Sequence, residues 1–132
     1  MPYLLDTNVM SDLVRHPLGR VWRRIEDVGV DQVCTSILVS AELRYGVEKR
    51  GSPDLAEKIQ SVLDTFNVVP FMPPADLMYA RVRHMLTARG QLIGSNDLFI
   101  AAHALALGCT MVTANLREFS RVEGLICENW LT

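Results

Sequence analysis

Apolar and polar residues alternate in blocks along the chain, and their changing period marks out the elements. Residues 2–5 are a short apolar run that ends at Asp6 and predicts a strand. A helix follows over 8–15 and stops before Pro17, because the residue ahead of a proline is pushed out of the helical region. A second helix is predicted over 18–28 and a strand over 32–35. Ser36 can cap a third helix that runs to about Lys49 and ends at Gly51. Pro53 opens a fourth helix at its first position, reaching about Phe66, and 67–69 reads as a strand. Pro74 begins a long helix to about Arg89, stopped by Gly90. Ser95 or Asn96 caps a helix over 97–107 that is apolar nearly all round, and Gly108 closes it. Strands over 109–113 and 125–128 complete the pattern.

Strands separated by helices imply right-handed crossovers, hence an α/β fold: a parallel sheet of four to five strands with helices on both faces. The 132 residues hold no repeat, linker or low-complexity tract, so they are expected to form a single domain over 1–132. In such a sheet, ligands collect beyond the carboxyl ends of the strands. Asp6 stands at the end of the first strand, Thr113 and Asn115 at the end of the fourth, and Asp97 at the start of the helix just before the fourth. Glu42 lies on the helix after the second strand, with Leu38, Val39 and Tyr45 around it in an apolar stripe.

Carboxylates are rarely buried without a partner, and no basic residue is spaced to neutralise Asp6, Glu42 and Asp97 together. If the fold brings them together, a metal ion is the natural counter-charge. Each has a plainer reading. Asp6 and Asp97 can cap the helices they precede or open, and Glu42 can pair with an Arg from another element. Asp12 is expected at the surface or behind the site, and His103 in the core on a different helix face from Asp97.

Composition adds less. Apolar residues make up 49% and charged residues 21%, as in ordinary globular proteins. The best apolar stretch is interrupted by His103 and Gly108, so no membrane span is expected, and the start of the chain lacks a signal-peptide pattern. Cys34, Cys109 and Cys127 have no zinc-ligand spacing and read as buried, reduced thiols, which fits a cytoplasmic location. The net charge of −2 hides a bias, because eleven of the thirteen basic residues are Arg, the better phosphate reader. Setting Asp6, Glu42, Asp97 and Glu118 aside as one cluster leaves thirteen basic residues against eleven acidic, so an acidic pocket with a mildly basic rim fits the total.

The constellation resembles the PIN domain, and within it the VapC-type toxins of toxin–antitoxin pairs. The resemblance rests on Leu4-Leu5-Asp6-Thr7-Asn8, Ala41-Glu42-Leu43 with Gly46, and Gly94-Ser95-Asn96-Asp97 leading into Ile100-Ala101-Ala102-His103-Ala104. Thr113-Ala114-Asn115-Leu116-Arg117-Glu118-Phe119 and Glu128-Asn129-Trp130 complete it. It implies that Asp6, Glu42 and Asp97 are catalytic and bind Mg²⁺ or Mn²⁺, with Thr7, Asn8 and Thr113 as supporting polar groups. Many relatives carry Asp where this chain has Asn115, and Glu118 stands one helical turn on as a substitute. Oxygen-only ligands suit a hard divalent cation. The implied reaction is endonucleolytic hydrolysis of a translation RNA, a tRNA or rRNA, by a toxin that a cognate VapB-type antitoxin silences. Homodimers and larger toxin–antitoxin complexes are implied as well. A DNA-directed PIN nuclease, or a catalytically idle module acting through an operator-binding partner, would carry the same fold.

Overall fold

A computed structural model describes residues 2–132. Five strands form one all-parallel sheet: β1 (Tyr3–Leu5), β2 (Val33–Ser36), β3 (Asn67–Val69), β4 (Thr110–Val112) and β5 (Cys127–Glu128), in the order β3-β2-β1-β4-β5. The helices are α1 (Thr7–Arg15), α2 (Arg20–Val28), α3 (Ile37–Arg50), α4 (Pro53–Thr65), α5 (Ala75–Ala88), α6 (Ser95–Leu107) and α7 (Leu116–Phe119).

All four residues of β2 are buried, as are Leu4 and Leu5 of β1. Successive strand residues point to opposite faces, so both faces of the sheet are covered. The apolar runs that predicted these strands are thus the centre of the core, where Met111, Val112, Phe119 and Trp130 join them. Trp130 is anchored at several points. Its ring packs 5.2 Å from Tyr3, Arg24 lies over it at 5.4 Å, and its Nε1–H donates to Glu128 at 3.0 Å.

The order places β1 in the middle: the chain steps from β1 to β2 and β3 on one side, then crosses from β3 to β4 and β5 on the other. The strand order reverses there, which opens a cleft beyond the carboxyl ends of β1 and β4. Tyr3, Leu4 and Leu5 pair with Thr110, Met111 and Val112 in register, and the Asp6 amide donates to the Val112 carbonyl at 2.9 Å. Asp6 and Thr113 therefore leave their strands side by side.

Ser36 caps α3 as expected, accepting from the Leu38 amide at 3.0 Å, and Ser52 does the same for the Pro53 helix at 3.2 Å. Three details depart from the sequence reading. Helix α6 starts at Ser95 with Gly94 as its cap and no side-chain capping bond, because Asn96 is turned toward Glu42 instead. A 3-10 turn at Val30–Gln32 precedes β2. Tyr45, expected within a packed stripe, is 68% exposed. The cysteines are in no disulfide, although Cys34 and Cys109, distant in sequence, come into hydrogen-bond contact. Among the described residues no helix is long and apolar enough to cross a membrane.

Candidate active site

Asp6 is 3% exposed, and its place follows from β1 ending at the cleft. Its carboxylate accepts from the Thr7 amide and from the Thr113 hydroxyl, each at 2.8 Å, with Asn8 Nδ2 more distant at 3.5 Å. The capping reading of Asp6 is thus correct as far as it goes, since it does cap α1. Its other oxygen, Oδ2, takes the Thr113 and Asn8 contacts. Thr113 in turn accepts from the Asn115 amide at 3.0 Å, and Asn8 Oδ1 accepts from the Ala114 amide at 3.1 Å. These bonds fix the loop after β4 against the start of α1.

Glu42, half-buried on α3, accepts from the Thr7 hydroxyl at 2.6 Å and from Asn96 Nδ2 at 3.4 Å. Among the described residues no Arg forms an ion pair with it; its partners are the neighbours of the other two acids. Asp97 lies in the first turn of α6, and its carboxyl bonds to Glu118 rather than to the helix's own amides. Glu118 comes from α7, a four-residue helix too short to leave a periodic signal in the sequence. Asn115 Nδ2 donates to Glu118 at 2.7 Å, and the Gly94 backbone and nearby Arg121 also favour its charged form. Asn115 thus does not replace the missing acid. It aims Glu118 toward Asp97, and Glu118 is the fourth carboxylate of the cleft.

The electrostatics record the crowding. Burial raises the pKa of Asp6, the bonds from Thr113 and Thr7 oppose the rise, and the charges of Glu42 and Glu118 add to it. Asp97 is raised to about 7, first by burial, then by the bond to Glu118 and by the charges of Asp6, Glu118 and Glu42. Glu118 moves the other way, lowered chiefly by the bond from Asp97. The two carboxyls titrate as a pair, Asp97 pushed up and Glu118 pushed down by the bond between them. Asp97 is the acid that feels all three others.

Two further residues sit as the sequence suggested. His103 is 1% exposed, and its Nδ1 bonds to Ser36 Oγ at 2.8 Å. Burial lowers its pKa, so the ring is neutral. Pro70 contributes a backbone contact, while Nε2 makes no bond of good geometry. The bond to Ser36 ties α6, which carries Asp97, to the cap of α3, which carries Glu42. Asp12 lies in a separate cleft with His16, Arg20 and Arg23, so it is not part of the cluster.

Among the described residues no three His, Cys, Asp or Glu side chains stand as a ready-made metal cage. The reason is visible in the bonds above, since each carboxylate is turned to a local donor or to another carboxyl. The donor chemistry nonetheless fits a hard cation. The side-chain donors are all oxygens, and burial first, with the charges of the neighbouring acids adding to it, makes the charged forms of Asp6 and Asp97 costly without a counter-ion.

Residues 3–125 match the PIN domain family. "Ribonuclease VapC2" of Haemophilus influenzae is 36% identical to this chain, over 99% of each. "tRNA(fMet)-specific endonuclease VapC" of Salmonella typhimurium is 28% identical over 98% of each. Among solved structures, the VapBC2 complex of Rickettsia felis bound to a DNA fragment from its promoter superposes with a TM-score of 0.89 at 33% identity, over 98% of this chain and 99% of that one. The chain belongs to the PIN-domain family, on its VapC branch.

The charge crowding has a measurable consequence in metal-free protein. Two unit charges about 5 Å apart repel by roughly 3 kcal/mol at an effective dielectric near 20, less where solvent screens them. A carboxyl whose folded pKa is raised binds more protons folded than unfolded, so stability falls as pH rises from near 4 to about 7. Metal-free protein is therefore expected to melt lower at pH 7 than at pH 5 through this site, and Asp97→Asn to flatten that slope and raise the pH 7 melting temperature by a few degrees. A lower melting temperature for Asp97→Asn in metal-free buffer would make Asp97 a structural residue.

Proposed function

We propose that the chain is a metal-dependent endoribonuclease toxin that hydrolyses phosphodiester bonds in a translation RNA and is silenced by a cognate VapB-type antitoxin. The observation that carries this reading is the convergence of Asp6, Glu42, Asp97 and Glu118, from separate elements, on one strand-end cleft where each raises the cost of charging Asp97. The ribonuclease names of the relatives support RNA as substrate, and the Salmonella typhimurium name favours a tRNA over an rRNA. The working unit is one PIN domain over 1–132, cytoplasmic and dimeric, with larger assemblies formed with the antitoxin.

Asp6, Glu42 and Asp97 would hold Mg²⁺ or Mn²⁺, with Glu118 as a fourth carboxylate. When bound, such an ion polarises a phosphate oxygen and lowers the pKa of water beside it. The chain's own residues supply the order. Thr113 and the Thr7 amide hold Asp6, the Thr7 hydroxyl holds Glu42, and Asn115 aims Glu118. Preorganised groups of this kind spare the reaction the cost of arranging them.

The antitoxin's place is an apolar groove beside the cleft. Leu18, 78% exposed, joins Leu13, Trp22, Val62 and Phe66 around a hollow of about 260 Å³. A second hollow of about 250 Å³ leads from Val14, Leu55 and Ile59 to Thr7 and Glu42, between Arg15 and Arg50. The TM-score 0.89 match to a VapBC2 complex supports a partner protein for this chain, and the apolar lining of the groove suits one. An apolar helix laid in the groove can carry an Arg or Lys to the acids, bridging two carboxylates by charge-assisted bonds.

Partner-free protein incubated with bulk tRNA, rRNA and single-stranded DNA in Mg²⁺ distinguishes the substrates. Discrete new ends in tRNA are expected. Cleavage confined to DNA would establish the DNA-directed alternative.

A further inference from the structure

Tyr45 lies one helical turn beyond Glu42 on α3, and residues three apart on a helix are surface neighbours, with Cβ atoms about 5–6 Å apart. Its ring is 68% exposed. It borders an open cleft of about 450 Å³ whose other walls are Thr7, Leu38, Ala41, Glu42 and Asn96. That volume falls within the usual range for small-molecule sites, about 300–1,000 Å³. The cleft is chemically divided. Glu42, Thr7 and Asn96 give one end polar groups, and Leu38, Ala41 and Tyr45 give the other an apolar floor with an aromatic face.

We infer that Tyr45 is a stacking platform for an unpaired nucleobase next to the scissile phosphate, so that the substrate must present a single-stranded or flipped-out nucleotide there. The inference rests on the proposed nuclease reading and deepens it. No basic side chain lines this cleft, so what its walls can add to substrate binding is a contact that does not depend on charge. Base–aromatic stacking is such a contact, and it tolerates any base because every base has a π-face. A paired base already stacked in a duplex cannot offer its face to the ring without being extruded, which costs unstacking energy. The cleft thereby selects for unpaired RNA by shape and not by sequence. Tyr45 is a positioning residue, since the ring touches the base and not the reacting phosphate.

The test uses partner-free full-length protein on RNA oligonucleotides that carry the mapped cleavage site, each offered single-stranded and annealed to its complement. Wild type should prefer the single strand. Tyr45→Ala should raise KM for the single strand about ten- to a hundredfold and leave kcat within a factor of about three. Tyr45→Phe should retain wild-type KM, because the ring and not the hydroxyl carries the contact. An abasic nucleotide beside the cut should weaken wild type and leave Tyr45→Ala unaffected. If wild type cuts RNA and Tyr45→Ala cuts it with the same KM, the stacking assignment is overturned while the nuclease reading stands. If wild type cuts no RNA, the nuclease reading itself fails. A change in oligomeric state or antitoxin binding with unchanged cleavage would place Tyr45 in a protein interface and overturn the assignment as well.

Discussion

Asp97→Asn is expected to lower RNA cleavage by at least about a hundredfold while the protein stays folded, the scale seen when one preorganised electrostatic group is removed from an active site. The geometry makes this the cleanest of the acid substitutions. Asp97 does not cap its helix, since α6 has Gly94 at the cap and no side-chain capping bond. Its carboxyl faces Glu118 and the charges of Asp6 and Glu42. Asn keeps the volume and loses the charge, so loss of activity with an unchanged fold assigns the carboxylate to the chemistry. Glu42→Gln should behave alike, because the Thr7 and Asn96 contacts it makes are not part of the α3 backbone. Asp6→Asn should also abolish cleavage, with some added loss of stability. Asp6 is 3% exposed and accepts from both Thr113 and the Thr7 amide, and a carboxamide can satisfy only part of that set. Measured rates for the three variants, beside their circular dichroism and melting curves, separate the two effects.

Leu18→Asp should release the antitoxin and leave the nuclease active. Leu18 is 78% exposed in the free chain, so the change removes little packing that the chain itself depends on. In the complex it would place a charge in the apolar part of the groove, beside Trp22 and Phe66. Truncating a hot-spot side chain commonly costs 2 kcal/mol or more, about thirtyfold in affinity, and a buried unpaired charge adds to it. Co-purification with the antitoxin should fall accordingly, and expression in cells should become toxic. Asp6→Asn, by contrast, should lose toxicity and still co-purify, because specific complexes need roughly 1,200 Å² or more and the acidic cleft alone offers little of that. Complete release of the antitoxin by Asp6→Asn would show that a cation plugged into the acids dominates the affinity.

The sequence carried the frame of the molecule because the frame depends on local rules. Proline and glycine end helices by their backbone chemistry alone, so the stops at Pro17, Gly51 and Gly108 were legible. The short apolar runs at 3–5 and 33–36 read as buried strands for the same reason. What was not legible depends on direction. Tyr45 and Leu38 look like one buried stripe with Glu42, yet that face of α3 looks onto the cleft and solvent, so the ring is exposed. Ser95 and Asn96 look like caps of α6 in the sequence, yet Gly94 holds that position and Asn96 bonds across the cleft to Glu42, a contact between residues 54 apart. Glu118 was placed only as a substitute acid one turn beyond Asn115. No periodicity shows where a four-residue helix points, and the bond from Asn115 that orients it exists only once α7 has formed. The placement of two acids, by contrast, was foreseeable from topology, since Asp6 leaves the end of β1 and Glu42 lies early on the helix after β2, while Asp97 reaches the same edge from the first turn of α6.

The most direct test of the central claim, that these carboxylates hold a divalent cation to cut RNA, is cleavage of tRNA by partner-free protein first stripped with EDTA and then given Mg²⁺ or Mn²⁺. The account predicts no cleavage in EDTA, recovery on adding either ion to the wild type, and no recovery for Asp97→Asn at the same ion concentration. Cleavage that persists in EDTA, or full recovery of the Asp97→Asn protein, would contradict it.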